Sequence, residues 1–214
     1  MGGPLTTVRL DAELRARISR NLDGFERRSL ELDGRRPAAV ALTVLPDGRG
    51  RPCFAITRRS AHLDAHAGQW AIPGGRLDAG EDTASAARRE LREEVGLRLD
   101  AGAVVGLLDD YPTRSGYVIT PVVLWAGEGG ELTPDPREVA RAYRVPLAEL
   151  DADGVPLLWS IPESDRPVLS IPFETLDTVI HSPTAAILYQ FREVALHGRA
   201  MRVEHFEQPI FAWR

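Results

Sequence analysis

The amino-acid sequence predicts an α/β fold with a mixed sheet held between helices. Two segments with helical periodicity and terminal caps, near residues 83–95 and 183–197, alternate with shorter segments rich in β-branched residues. The 214 residues suit one domain, 1–214, with small additions. Hydrophobic residues make up 43% of the chain and charged residues 27%, which is typical of a soluble globular protein.

The composition indicates the cellular compartment and the classes of binding partner. No apolar run approaches the roughly 20 residues of a membrane span, and the N-terminus lacks the apolar segment of a signal peptide. Cys53 is the sole cysteine, so an intrachain disulfide is excluded and a core position is expected. The net charge of −5 and the lack of a dense basic run argue against nucleic acid. We therefore expect a cytoplasmic protein with neither membrane nor nucleic-acid partners.

The N-terminal part of the chain predicts a helix followed by a hairpin. Residues 8–22 indicate a short amphipathic helix with Asp11 as N-cap, and its apolar face consists of Leu14, Ile18 and Leu22. Two strands, 38–45 and 53–57, flank a turn signal at 46–48. This arrangement is typical of an antiparallel hairpin with a longer loop.

A glycine-rich loop and a charged helix follow. Asp82 is the expected N-cap, and Gly96 fits the position just past the helix end. At about 100° per residue the helix has three faces. The apolar face is Ala84, Ala87, Leu91 and Val95, the acidic face is Glu90, Glu93 and Glu94, and the basic face is Arg88, Arg89 and Arg92.

The acidic face indicates a metal site. Glu90 and Glu94 are four residues apart, so their carboxylates can converge, and like charges at that spacing destabilise a helix unless something neutralises them. Mg²⁺ typically takes one or two carboxylates together with substrate phosphates. The alternative is a solvated face with local Glu–Arg pairs.

The rest of the chain predicts more strands and one long helix. Strands are expected at 103–108 and 117–125, loops at 111–116 and 131–136, and a strand with a helical start over 138–150. Residues 151–177 indicate a proline-rich insertion with a short strand at 167–171. A helix is then expected to run from Pro183 to about residue 197, with Ser182 as N-cap and Gly198 at its end. The aromatic tail is expected to pack on the domain or on a partner subunit.

The charged helix and its entry loop resemble the Nudix box. The matching positions are Gly75, Glu81, Arg89, Glu90, Leu91, Glu93, Glu94, Gly96 and Leu97, and every fixed position of the signature is filled. The resemblance implies the Nudix α/β/α sandwich. Its core would cover about 36–150, with the helix at 8–22 and the extension 151–214 packed on it.

The resemblance also implies roles for these residues. Glu90, Glu93 and Glu94 would bind Mg²⁺ or Mn²⁺ and activate water, with the Gly74 backbone carbonyl as an extra ligand. Glu81 and Arg89 would brace the loop and the helix. Glu138 is a candidate accessory base or ligand on a late loop, with a purely structural role as its alternative.

A second segment resembles the coenzyme A pyrophosphatase branch of the Nudix family. It matches at Thr57, Arg59, Ser60, Gly68, Pro73, Gly74 and Gly75, but has Asp64 where arginine is usual and Ile72 where phenylalanine is usual. Arg59, Ser60 and Gly75 are the candidate substrate-binding residues, and Arg59 is the candidate cation for a 3′-phosphate. Arg58 should point the other way. His62 and His66 are expected to be loop or packing residues, since a hard Mg²⁺ site prefers oxygen.

The implied reaction is hydrolysis of the diphosphate linkage in a nucleoside diphosphate derivative. Coenzyme A or acyl-CoA is the leading substrate, giving 3′,5′-ADP and (acyl-)phosphopantetheine. The alternatives are ADP-ribose, a dinucleotide or a nucleoside triphosphate, and a nucleotide sensor without catalysis. The small-molecule nucleotide is the expected partner, and a homodimer is compatible with the resemblance because dimers are common in the family.

Overall fold

The structure, a computed structural model, describes residue 5, residues 8–61 and residues 68–212. His62, Asp64 and His66 therefore lie outside the described residues. The α-helices within these ranges are α1 (Ala12–Asp23), α2 (Thr83–Val95) and α3 (Thr184–Phe191). Over the same ranges, every helix is too short or too polar to cross a membrane.

The strands form one large mixed sheet and one small sheet. The large sheet contains β1 (Arg36–Pro46), β2 (Pro52–Arg59), β3 (Trp70–Ala71), β4 (Gly74–Arg76), β5 (Val104–Leu107), β6 (Tyr111–Pro112), β7 (Tyr117–Trp125) and β8 (Val139–Pro146). The small sheet contains β9 (Leu157–Ile161), β10 (Ser164–Phe173) and β11 (Thr178–His181). Strand β1 is central, because it pairs with β7 in parallel and with β2 and β4 in antiparallel orientation.

Alternation along β1 divides the core into two layers. Ala39 and Ala41 pack against α2, whereas Leu42 and Val44 belong to the larger cluster that includes residues of α1 and α3. Successive strand residues point to opposite faces, so one strand contributes to both layers. The predicted fold of a mixed sheet between helices is confirmed.

The N-terminal helix and the first hairpin also agree with the prediction. The Asp11 carboxylate accepts the Leu14 N–H at 2.9 Å as N-cap, and the three predicted apolar side chains of α1 are buried. The helix begins at Ala12, directly after the Asp11 N-cap, rather than at residue 8. Strands β1 and β2 pair antiparallel, and Cys53 is fully buried.

The loop expected before α2 contains two short strands. Gly74–Arg76 pairs with β1, and Trp70–Ala71 pairs with β2. A Cβ on Gly74 would lie 2.4 Å from the Ala39 carbonyl oxygen. Gly74 suggests a loop in the sequence, but it is required because two strands approach closely at this position.

The C-terminal extension differs most from the prediction. Residues 151–177 hold not one short strand but β9 and β10, and β10 also pairs with β11. Ser182 is not an N-cap, because its hydroxyl donates to the Leu169 carbonyl at 3.1 Å and Pro183 occupies the cap position without a side-chain cap. Helix α3 continues as a π-helical turn, Arg192–Leu196, and Gly198 follows with φ of 67°. These pairings are long-range, and local sequence does not reveal them.

Candidate active site

A cleft of about 770 Å³ opens between the box helix and the C-terminal extension. Its floor and one side come from β1, β4 and α2. The cleft-lining residues that the sequence singled out are Arg59, Gly68, Ile72, Gly74, Gly75, Glu90, Glu94 and Glu138. The opposite wall comes from the segment around β11, the start of α3 and the tail. The two parts of the chain together enclose a site of the size that a nucleotide needs.

Two adjacent glycines bring the box helix against the sheet. Gly74 lies against Ala39 and Val40 of β1. Gly75 lies against Glu90, since a Cβ on Gly75 would be 2.4 Å from the Glu90 Oε1 atom. The lack of side chains at both positions therefore lets the Glu90 carboxylate stand directly over the strand backbone.

Arg89 connects the loop to the helix. Its guanidinium donates to Glu81 at 2.9 and 3.0 Å, to Glu90 at 2.7 Å and to the Arg76 carbonyl at 2.9 Å. Glu81 also accepts the Asp78 N–H at 3.0 Å. These bonds, with Glu81 as the largest cause, raise the pKa of Arg89, which remains cationic. Such charge-assisted bonds fix the position of Glu90.

Glu94 is the buried carboxylate of the site. Its side chain is 3% exposed. Burial is the main cause that raises the pKa of Glu94 to about 8. The charges of Glu90 and Glu138 act in the same direction, whereas Arg59 and a hydrogen bond from the Gly74 N–H oppose them. Burial also raises the pKa of Glu90. The pair therefore places two carboxylates with raised pKa values close together, with Arg89 paired to Glu90 and Arg59 near Glu94.

Arg59 lies beside Glu94. Its Nη1 atom is 3.9 Å from Glu94 Oε1, which is too long for a hydrogen bond, and its buried Nε has no hydrogen-bond partner among the described residues. Arg58 does not line the cleft, although its guanidinium lies 5.9 Å from the ring centroid of Trp70. The guanidinium of Arg59 thus faces the carboxylate pair.

Glu138 and Ser60 meet through the backbone. The Ser60 N–H donates to the Glu138 carbonyl at 2.9 Å, which links the end of β2 to the start of β8. Glu138 is exposed and lines the cleft, and its charge raises the pKa of both Glu90 and Glu94. Ser60 is 4% exposed and does not line the cleft, so the structure gives it a place behind the site.

Glu93 shares the Arg89 Nη1 atom with Glu90 but does not line the cleft. Its carboxylate is 44% exposed and accepts from Arg89 at 3.1 Å and from Arg92 at 2.9 Å. Glu93 follows Arg89 by four residues, so the two stack on one side of the helix. The predicted separation of an acidic from a basic face is therefore wrong. Glu94, which the prediction placed off the apolar face, is buried.

The donors that face the cleft fit a hard divalent cation. Glu90 and Glu94 offer only oxygen, the donor atom that such an ion prefers. In the described part of the chain, no group of three or more His, Cys, Asp or Glu residues could hold a metal. Water and substrate phosphates would therefore complete the coordination, as is common for Mg²⁺.

Sequence reasoning missed the residues of the C-terminal wall. This wall includes His181 and Phe211, and Trp70 of β3 was missed as well. Sequence reasoning also missed Arg36 and Arg76, which line the cleft near the start of β1 and the end of β4. The aromatic content of the tail was a signal that it packs, but the sequence did not indicate against which surface.

The fold and the box residues define the class of the protein. The family model described as the NUDIX domain matches residues 34–169. This match covers more than half of the chain, which therefore belongs to the Nudix family.

Two curated relatives are Nudix hydrolases of similar sequence. A protein of Photorhabdus laumondii called "Uncharacterized Nudix hydrolase NudL" is 40% identical over 118 residues, which are 55% of this chain and 62% of that protein. NudL of Escherichia coli K12 is 38% identical over 121 residues, covering 53% and 59%. The chain thus spans about three fifths of the length of the curated relatives it matches.

Solved structures are similar in fold. A Nudix hydrolase from M. smegmatis, RenU, has a TM-score of 0.50 and 23% identity, covering 79% of this chain and 91% of its own. A MutT/nudix family protein from Enterococcus faecalis has a TM-score of 0.53 and 17% identity, covering 77% and 64%. At these identities the likeness establishes the fold alone.

Proposed function

We propose that this protein hydrolyses the diphosphate linkage of a nucleoside diphosphate derivative. The observation that carries the proposal is the pair of carboxylates, Glu90 and Glu94, standing over Gly74 and Gly75 on the floor of the cleft. Glu94 is buried, Glu90 is partly buried, and the pKa values of both carboxylates are raised. An arrangement of this kind suits a site that binds a cation and a polyanion together.

The proposed cofactor is Mg²⁺ or Mn²⁺. Glu90 and Glu94 would hold it, with the Gly74 carbonyl as an additional ligand. Glu93 belongs to the set by resemblance to the Nudix box. When bound, the ion supplies positive charge that stabilises developing charge on phosphoryl oxygens and acidifies water.

Other residues orient the substrate and handle the proton. Arg59, beside Glu94, is assigned to an oxygen of the diphosphate, because a guanidinium can donate two parallel bonds to phosphate. Glu138 lines the cleft as an exposed carboxylate and is the candidate that accepts the proton of the attacking water. Arg89 and Glu81 keep Glu90 in position.

The leading substrate is coenzyme A or acyl-CoA, cleaved to 3′,5′-ADP and (acyl-)phosphopantetheine. Beyond the resemblance of the segment from Thr57 to Gly75, two arginines support it. Arg36 and Arg76 line the cleft, and neither forms an ion pair within the described residues. We therefore assign the 3′-phosphate to these two cations, rather than to Arg59, which lies at the carboxylate pair.

The test is a panel of diphosphates with products identified by mass spectrometry. We expect coenzyme A to be cleaved with a higher kcat/KM than ADP-ribose, a dinucleotide or a nucleoside triphosphate. Dephospho-coenzyme A should be poorer by roughly one to two orders of magnitude, and Arg36→Ala should remove that difference. Turnover of ADP-ribose or a dinucleotide with coenzyme A left intact would favour the alternative substrates. Binding without turnover of any compound would favour a sensor, which the complete set of box carboxylates disfavours.

A further inference from the structure

Strand register fixes the order of groups along the floor of the cleft. Gly74 pairs with Val40 and Arg76 with Ala38, so Arg76 lies toward the Arg36 end of β1. On the β2 side of the floor, the Arg59 N–H donates to the Gln69 carbonyl at 2.9 Å. Arg36 and Arg76 therefore form a cationic end of the cleft, and residues 69–70, beside Arg59 of β2, border its second end.

The tail covers the second end. The Gln69 side-chain amide donates to the Phe211 carbonyl at 3.1 Å, and the ring centroid of Phe211 is 5.6 Å from that of His181. Trp70, His181 and Phe211 all line the cleft, and we call these three residues the aromatic wall. Phe211 remains 54% exposed although it is large and apolar. The aromatic wall thus offers apolar surface at the end away from Arg36.

Ser170 and Trp159 of the small sheet hold the imidazole of His181 in place. Its Nδ1 atom is 2.6 Å from the Ser170 hydroxyl, which is buried, and that hydroxyl accepts the Trp159 indole N–H at 2.8 Å. The Trp159 ring also stands edge-on to His181, with centroids 5.8 Å apart. Phe211 and Trp159 therefore fix the plane of the ring, and Ser170 fixes its rotation.

These contacts accommodate a His181 ring that is protonated at Nε2. The Trp159 indole N–H uses one lone pair of the Ser170 hydroxyl, and the hydroxyl proton is then available to be donated to Nδ1. The ring proton then resides on Nε2, which has no hydrogen-bond partner among the residues described. Burial lowers the pKa of His181, which favours the neutral ring. With the proton on Nε2, the aromatic wall offers one neutral N–H donor.

We propose that the aromatic wall is the subsite for an uncharged, amide-bearing alkyl chain of the substrate, whose carbonyl accepts the His181 Nε2–H. Apolar surface with a single neutral donor suits such a chain. A second phosphate would instead be drawn to the cationic end. This inference rests on the proposed function, in which the alkyl chain and the phosphorylated nucleoside are attached to opposite ends of the diphosphate.

Binding measurements separate the two ends without turnover. The probes are 4′-phosphopantetheine, decyl phosphate, which has a chain but no amide, and 3′,5′-ADP, each titrated calorimetrically with Mg²⁺. The variants are Phe211→Ala, at an exposed position, and His181→Phe, which keeps an aromatic ring. Leu158→Ala is the matched control, because Leu158 is 55% exposed in the same extension but does not line the cleft.

Each variant should have its own signature. Phe211→Ala should weaken both chain probes by about tenfold, and His181→Phe should weaken 4′-phosphopantetheine by about tenfold but leave decyl phosphate unchanged. Neither should alter 3′,5′-ADP, and Leu158→Ala should alter nothing. Thermal melting confirms that each variant folds.

The inference and the proposed function fail in different ways. Unchanged affinity for 4′-phosphopantetheine in Phe211→Ala, or no affinity in the wild type, overturns the inference even if coenzyme A is cleaved. An equal loss of all three probes also overturns it, since that indicates a general structural role. The expected pattern without any cleavage of coenzyme A would support the subsite and reject the proposed reaction.

Discussion

The Glu90 carboxylate rests on the α-carbon of Gly75, where a Cβ would come within 2.4 Å of Oε1. This contact involves the far end of a flexible side chain. At Gly74, a Cβ would meet backbone, at 2.4 Å from the Ala39 carbonyl oxygen. Two neighbouring glycines are therefore required for different reasons, one by the site and the other by the sheet.

The matched variants Gly75→Ala and Gly74→Ala should separate these roles. Gly75→Ala should keep the fold but displace Glu90, lowering kcat/KM by about tenfold or more. Gly74→Ala should lower the free energy of unfolding by roughly 1–3 kcal/mol, because strands must separate. Chemical denaturation and steady-state kinetics on both proteins provide the comparison. A Gly75→Ala enzyme with wild-type kcat/KM would show that the position of Glu90 is unimportant.

Neutralising either facing carboxylate should abolish most turnover. We expect Glu90→Gln and Glu94→Gln to lower kcat by more than about 100-fold, since even residues that only support metal ligands cost 10–100-fold. Glu131→Gln, in an exposed loop, is the control. Near-wild-type kcat in either variant would remove that residue from the proposed set.

The buried Glu94 should make the metal-free protein less stable as pH rises. Its pKa is raised from 4.5 to about 8 in the folded state, so ionisation favours unfolding. The stabilisation is fully present below about pH 4.5 and is lost as pH rises through about 8. The loss should be on the order of a few kcal/mol. Urea titrations from pH 5 to 9 measure it.

Glu94→Gln should flatten that pH dependence, whereas Glu93→Gln, on the exposed side of the same helix, should retain it. Glu90 acts in the same direction as Glu94, so some slope should persist in the first variant. An identical slope in wild type and Glu94→Gln would mean that Glu94 is solvated in solution.

Removing divalent metal should stop the reaction. In excess EDTA, turnover should fall to background and return with Mg²⁺ or Mn²⁺, because the proposed ligands, Glu90 and Glu94, would hold the ion that stabilises charge on the phosphoryl oxygens. Metal should also raise Tm in the wild type but not in Glu94→Gln, since binding to the folded state stabilises it. Full turnover in a sample shown by elemental analysis to lack metal would refute the mechanism.

A charge on the opposite face of α2 should destroy the fold. Leu91 is fully buried against the sheet, and an unpaired carboxylate there costs several kcal/mol. We expect Leu91→Asp to be insoluble or to lack a cooperative transition by circular dichroism. Arg92→Asp, on the exposed side, should cost less than about 1 kcal/mol. A cooperatively folding Leu91→Asp protein would mean that the face of the helix is misassigned.

Local signals predicted the helices and most of the large sheet. Asp82 and Gly96 mark the ends of α2, as capping chemistry requires. Strand β7 was predicted with its observed bounds, because the segment is rich in β-branched residues even though Pro121 interrupts them. These features depend on neighbours in sequence, so sequence reasoning recovers them.

The arrangement of the site depends on partners distant in sequence. Glu93 and Glu94 are adjacent and identical in type. Arg89 binds Glu93 at the surface, whereas the backbone N–H of Gly74 donates to Glu94 in the interior. The C-terminal wall likewise depends on contacts such as Gln69 with Phe211. Periodicity cannot assign such contacts, because they form only when the sheet is assembled.

The parallel pairing of β1 with β7 has a consequence for how the site forms. Nine residue pairs join these strands, from Arg36 with Tyr117 to Val44 with Trp125, so about 80 residues separate the partners. Loops of this length close slowly and delay folding. The box motif lies wholly inside the intervening segment. A nascent chain that has emerged only as far as residue 116 therefore carries the complete motif but lacks the central strand pair on which its helix rests.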